Sequence, residues 1–170
     1  MYIGIDPSLT GTGIYTERDS MIIKTTTKNC DLDRFEIITK AIEKILNENS
    51  MDEVIVGIEG FSMGSRGRGV SKMYGIGWAI RIMLYQKGIK FYEIPPTSVK
   101  KFVTGKGTGK KDQILLACYK KYGKEFSSND IADAFGINLI TKHLHEDTIP
   151  ELEYEKEVIK KLKKQLTEKF

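Results

Sequence analysis

The sequence predicts an α/β fold built on a five-stranded mixed sheet, a three-stranded antiparallel meander extended by parallel strands, with helices on both faces. Three observations predict it. Three short β-prone segments come first and are separated only by turns. Apolar residues then change to a three- and four-residue period, the signature of a helix. After that, strand-like and helix-like segments alternate, which calls for parallel strands joined by crossovers.

The elements follow in order. MYIGID opens the chain as a buried strand closed by Asp6, GTGIYTE is the second strand, and SMIIKTTT is the third, reached through a tight turn at Arg18-Asp19. Leu32, Phe35, Ile38, Ile42, Ile45 and Leu46 recur at helical spacing. EVIVGIE, from Glu53 to Glu59, is a continuous apolar run of the kind a central strand needs. FSMGSRGRG reads as a flexible loop. A helix is predicted from Val70 to about Gln86, with Met73, Ile76, Gly77, Ile80 and Leu84 on one face. KFYEIP is a strand closed by Pro95-Pro96. Lys110 to Tyr122 and Asp130 to Leu144 read as helices, the second with Ser127, Ser128 and Asn129 as candidate caps. The tail from Pro150 is rich in Glu and Lys, and Leu152, Val158, Ile159, Leu162 and Leu166 give it one apolar stripe. The expected organisation is one domain over residues 1–149 and a charged amphipathic helix over 150–170.

A chain of 170 residues with 40% hydrophobic residues supports one sizeable core, not two. The opening has no charged-then-apolar leader, so no signal peptide is expected. No apolar run approaches the ~18 residues of a membrane span. Cys30 and Cys118 lie in unrelated contexts and are expected to be free thiols in a reducing, cytoplasmic compartment. The net charge of +4 hides an uneven distribution: from Phe61 to Lys124 fourteen Lys and Arg face only two acids, Glu93 and Asp112. Those basic residues are interleaved with glycines and aromatics, which points to a nucleic acid rather than to a solvated surface.

Asp6 and Glu59 each end an apolar strand. If those strands are neighbours, two carboxylates sit side by side and repel, and a divalent cation would relieve the repulsion. Carboxylate oxygens are hard ligands that suit Mg²⁺ or Mn²⁺. Asp130 and Asp133, three residues apart at a helix start, share one helical face. Taken singly, each acid has an ordinary reading as a cap, an Asx-turn or a strand end. Together, four acids around two metal ions about 3.5–4 Å apart make a site for phosphodiester hydrolysis. The small residues Ser8, Thr10, Gly11 and Gly13 after Asp6 would let a phosphate backbone come close.

GIDPSLTGTG, IEGF, SVKKFVTGKGTGKKDQI and NDIADAFGI, in this order, resemble the motifs of the RuvC family of Holliday-junction resolvases, within the RNase H-like nuclease superfamily. The resemblance covers about residues 1–145. It implies catalytic, metal-binding carboxylates at Asp6, Glu59, Asp130 and Asp133 and functional lysines at Lys100 and Lys111. It further implies two Mg²⁺ ions per site, replaceable by Mn²⁺, a homodimer, and paired nicks across a four-way DNA junction. Phe61 or Tyr74 is expected to stack at the junction, and Arg66, Arg68, Lys72, Lys101, Lys106 and Lys110 are expected to contact phosphates. The altered loop SMGSRGRG and the tail after His145 are departures that resemble the phage and prophage members. The helix around Trp78 is the expected dimer contact, with Gly77 permitting close helix approach. No membrane and no small-molecule substrate are expected. Three other readings compete: a non-catalytic branched-DNA binding module, a nuclease acting on RNA–DNA hybrids, and the phosphate loop of the sugar-kinase, actin and Hsp70 superfamily, which needs a longer chain.

Overall fold

The computed structural model describes residues 1–49, 53–62, 67, 69–108 and 112–167. The meander is β1 (Tyr2–Asp6), β2 (Gly11–Thr16) and β3 (Ser20–Lys24). There follow α1 (Asp31–Glu48), β4 (Ile55–Glu59), α2 (Val70–Gln86) and β5 (Lys90–Ile94), then α3 (Pro96–Thr104), α4 (Asp112–Tyr122), α5 (Asn129–His145) and α6 (Glu153–Thr167). The strand order is β3-β2-β1-β4-β5. β2 pairs antiparallel with β1 and β3, whereas β1, β4 and β5 run parallel. The mixed five-stranded sheet expected from the sequence is therefore the observed one.

Because side chains alternate along a strand, each face of the sheet has its own composition. Ile3, Ile5, Ile14, Val56 and Ile58 point to one face, where they join Ile38 and Ile42 of α1 and Ile76, Ile80 and Leu84 of α2 in one apolar cluster. The opposite face carries Gly4, Gly13 and Gly57. A Cβ there would stand 1.9 Å from the Ala134 carbonyl oxygen, 2.1 Å from the Asp130 carbonyl oxygen and 1.9 Å from Thr141 Oγ1, respectively. These glycines let the backbone of α5 lie directly on the sheet. Asn138, buried in α5, fixes the helix by donating from Nδ2 to the Tyr2 carbonyl of β1 at 2.7 Å.

A helix that the sequence reading lacked fills the segment after β5. Pro96 occupies the first turn of α3, where its missing N–H costs nothing, and Gly105 ends the helix in the left-handed region at φ 78°. Ser98, Val99, Phe102 and Val103 are its buried face. The two prolines conceal a helix start that the terminal glycine supports. Val158, Ile159 and Leu162 of α6 pack on Val99 and Phe102 of α3 and on Ile137, Ile140 and Leu144 of α5. Both cysteines are free, Cys30 exposed and Cys118 buried. Among the described residues, no helix is long and apolar enough to cross a membrane.

Candidate active site

The parallel register sets Ile5 of β1 opposite Ile58 of β4, so the next residues along, Asp6 and Glu59, lie side by side at one edge of the sheet. Both occupy the pleat of the glycine face, towards α5. Ser128 caps that helix by accepting from the Ile131 amide at 3.2 Å. The cap places Asp130 in the first turn and Asp133 one turn on. Asp130 Oδ2 would lie 3.4 Å from a Cβ on Gly11 of β2, so its carboxylate overhangs the start of that strand. The pleat, the parallel register and one helix cap thus gather four carboxylates from three separate stretches of the chain.

Their electrostatics are those of a crowded anionic site. Asp6 is 9% exposed. Burial above all, then repulsion from Glu59, Asp133 and Asp130, holds its carboxyl well above the usual carboxylate range. Glu59 is pushed up to about 7, first by burial and then by Asp133, with its hydrogen bond to Asp6 and the charge of Lys100 opposing the rise. Two neighbouring carboxyl groups in a desolvated site resist ionising together. Lys100 comes from α3, which is why no basic partner for the acids was evident from sequence neighbours.

The donor set fits a hard divalent cation. It consists of carboxylate oxygens only, and their mutual repulsion is the kind that a cation relieves. Asn129 Oδ1, at the same helix end, is buried without a hydrogen-bond partner among the described residues. Among those residues, no three His, Cys, Asp or Glu side chains stand in an arrangement that holds a metal ion as it is.

The remaining predicted residues surround the site to different degrees. Phe61 follows Glu59 by two positions and packs against Tyr74 (centroids 5.1 Å apart) and Trp78 (5.4 Å). A cleft walled by Pro7, Glu59, Phe61, Met73 and Tyr74 opens there. Gly77 does not serve helix approach: a Cβ on it would meet the Phe61 ring at 2.5 Å, so the space is taken within the same chain. Gly13 likewise makes room for α5 rather than for a phosphate. Lys72 Nζ lies 2.8 Å from Asp31 Oδ2, and Lys101 Nζ lies 2.5 Å from Glu157 Oε2. Lys106 is exposed just beyond α3. Arg66, Arg68, Lys110 and Lys111 lie outside the described residues.

Arg81 escaped the sequence reading. It is a buried cation on α2 that stacks 4.3 Å from the Phe61 centroid, pairs with Glu93, and donates to the Glu59 carbonyl at 3.0 Å and the Gly77 carbonyl at 2.9 Å. It ties the end of β4 to α2. An arginine within an apolar helical period was the available signal.

Comparison with known proteins places the chain in a family. The family model described as crossover junction endodeoxyribonuclease RuvC matches residues 2–141. The crossover junction endodeoxyribonuclease RuvC of Ehrlichia canis (strain Jake) is 32% identical over 151 residues, covering 81% of this chain and 92% of the relative. That of Sulfurovum sp. (strain NBC37-1) is 29% identical over 146 residues, covering 79% and 90%. Among solved structures, Thermus thermophilus RuvC superposes with a TM-score of 0.67 at 20% identity, over 86% of this chain and 96% of that one. T. thermophilus RuvC in complex with Holliday junction substrate gives 0.64 at 20% identity, over 81% and 89%.

Proposed function

The chain belongs to the RuvC family of crossover junction endodeoxyribonucleases, and on that premise we propose that it nicks four-way DNA junctions with Asp6, Glu59, Asp130 and Asp133 as its catalytic carboxylates. The observation that carries the assignment of residues is their convergence at one sheet edge under the start of α5. The enzyme is a metal-dependent nuclease. Two Mg²⁺ ions, or Mn²⁺ in their place, would be held by these four side chains; when bound, they supply Lewis-acid activation of water and stabilisation of the leaving oxygen.

The chain's own residues supply the rest. Water oxygen attacks phosphorus and the P–O3′ bond breaks, leaving a 5′-phosphate and a 3′-hydroxyl. Lys100, which already offsets the charge of Glu59, faces the phosphate as negative charge grows on it. Lys111 is proposed for the same task. The basic segment binds the DNA backbone through Arg66, Arg68, Lys72, Lys101, Lys106 and Lys110. Lys72 and Lys101 exchange their present carboxylate partners for phosphates. Phe61 and Tyr74, two walls of the cleft beside Glu59, offer aromatic faces to an unstacked base at the branch point.

Junction resolution by two related cuts calls for a C₂ homodimer. On α2, Trp78 is 56% exposed and Ile82 is 53% exposed. With Tyr85 they form an apolar surface left largely exposed on the protomer, which supports α2 as the isologous contact. A cleavage panel in Mg²⁺ tests the function: four-way junction, flap, linear duplex and RNA–DNA hybrid. The four-way junction should be cut with symmetric nicks. Preferential cutting of the hybrid would assign the site to RNA instead.

A further inference from the structure

The family match ends at residue 141, yet α6, beyond it, closes on the helix that carries Lys100. A charged cluster around a buried carboxylate makes the connection. Glu155 is 5% exposed and pairs with Lys121 of α4. Lys121 Nζ also donates to the Phe102 carbonyl of α3 at 3.3 Å. The Tyr122 hydroxyl donates to Glu155 Oε1 at 3.2 Å, and the Leu152 amide donates to Glu155 Oε2 at 3.3 Å. Two flanking contacts reach the same end of α3. Glu157 holds Lys101, and the Tyr154 ring lies against Gly105, the residue that ends the helix.

Adhesion alone does not require this cluster. Val158, Ile159 and Leu162 already bury an apolar stripe against Val99 and Phe102. A buried ion pair adds little net stability over an apolar pair, because desolvation of both charges offsets their attraction. What it does add is register: an apolar interface tolerates sliding and rotation, whereas a fully hydrogen-bonded carboxylate accepts one alignment. The helix it aligns, α3, has Phe102 and Gly105 turned to α6 and α4. Lys100 lies two residues before Phe102, in the helix that starts two residues after Ile94, the register partner of Glu59 on β5.

We propose that α6 is a positioning element for the reaction: Glu155, through Lys121 and the Phe102 carbonyl, fixes the rotation and height of α3 and so keeps Lys100 at the Glu59 end of the sheet. The proposal rests on the reading of Lys100 as a charge partner in cleavage. Glu155 is thus a positioning residue that touches no DNA.

A double-mutant cycle on the full chain tests it, read by single-turnover cleavage of a four-way junction in Mg²⁺ and by junction affinity without divalent cation. Glu155→Gln should slow cleavage by about tenfold, as small misplacements of catalytic groups do, with the affinity held within about twofold. In a Lys100→Ala background, the same substitution should slow cleavage by less than about twofold more, because its route of action is gone. Should Glu155→Gln fail to fold, the pair Lys121→Met with Glu155→Met removes the tether and leaves no buried charge unpaired, and the same results are expected. An unchanged rate in a folded variant, or the full extra loss in the Lys100→Ala background, would overturn the proposal. So would failure of both variants to fold, which would make the cluster a folding element. Parent-level cleavage by Lys100→Ala itself would remove the role of Lys100, and the proposal with it. Slow cleavage by Lys100→Ala beside normal Glu155 variants would spare that role and sink only the proposal.

Discussion

One face of the sheet presents Ile3, Ile5, Ile14, Val56 and Ile58 to α1 and α2, whereas the other presents Gly4, Gly13 and Gly57 to the backbone of α5. The first face contributes by area, about 1.5–3 kcal/mol for each large apolar side chain removed from water. The second gains little side-chain burial at those three positions. Its glycines instead bring a helix close enough for Asp130 and Asp133 to join Asp6 and Glu59. Those carboxylates repel one another, so the face proposed to do the chemistry is the face under electrostatic strain. The apolar face offsets that cost, in line with the general trade of stability for activity.

This contrast can be broken by swapping what each face tolerates. The largest effect is expected from Gly4→Ala. Its Cβ would fall 1.9 Å from the Ala134 carbonyl oxygen, within backbone that cannot yield. Denaturant unfolding should show a loss of about 3 kcal/mol or more, and cleavage should fall with it because α5 is displaced. Ile58→Val on the opposite face should cost only about 1 kcal/mol and leave the cleavage rate unchanged. Equal costs for the two would remove the distinction between the faces.

A smaller effect sharpens the electrostatic half of the comparison. Glu59 is raised from 4.5 to about 7 in the fold, so between those values the native protein holds a proton that the unfolded chain has released. Stability from this group is complete below about pH 4.5 and is lost as pH rises through about 7. In the presence of chelator, thermal melting should therefore fall across that window, and Glu59→Gln should flatten the fall. Adding Mg²⁺ above pH 7 should restore the melting temperature of the parent more than that of the variant.

The smallest effect concerns the surface beyond the site. Lys106 is exposed past α3, and one phosphate contact changes the salt dependence of binding by about 0.9 in log K per log unit of salt on duplex DNA. Lys106→Ala should lower the measured slope by about that amount without changing which substrate is preferred. An unchanged slope would place Lys106 away from DNA.

The apolar face was legible in the sequence because its signals are local: EVIVGIE declares a strand, and the spacing from Leu32 to Leu46 declares a helix. The carboxylates were legible as strand-end and helix-start residues, though their meeting depends on the β1–β4 register and on the glycines under α5. Gly13 shows the limit. Beside Asp6 it suggests room for a ligand, and only the packing of α5 reveals what fills the room. Pro95 and Pro96 hid α3, and with it the physical reason that the charge of Lys100 is felt at Glu59. Arg81 stood out only as an arginine within an apolar helical period; its partners beyond α2 are the Glu93 carboxylate, the Glu59 carbonyl and the Phe61 ring, and no spacing along the chain announces them.

The most direct test of the central claim, that the four carboxylates of the glycine face form the cleavage site, is Asp6→Asn assayed on a four-way junction in Mg²⁺. The variant removes one carboxyl group from the cluster and nothing from the basic surface. It should bind the junction with the affinity of the parent and leave it uncut, with a melting temperature equal to or above the parent's in chelator. Cleavage by Asp6→Asn at the parent's rate would contradict the assignment of the site.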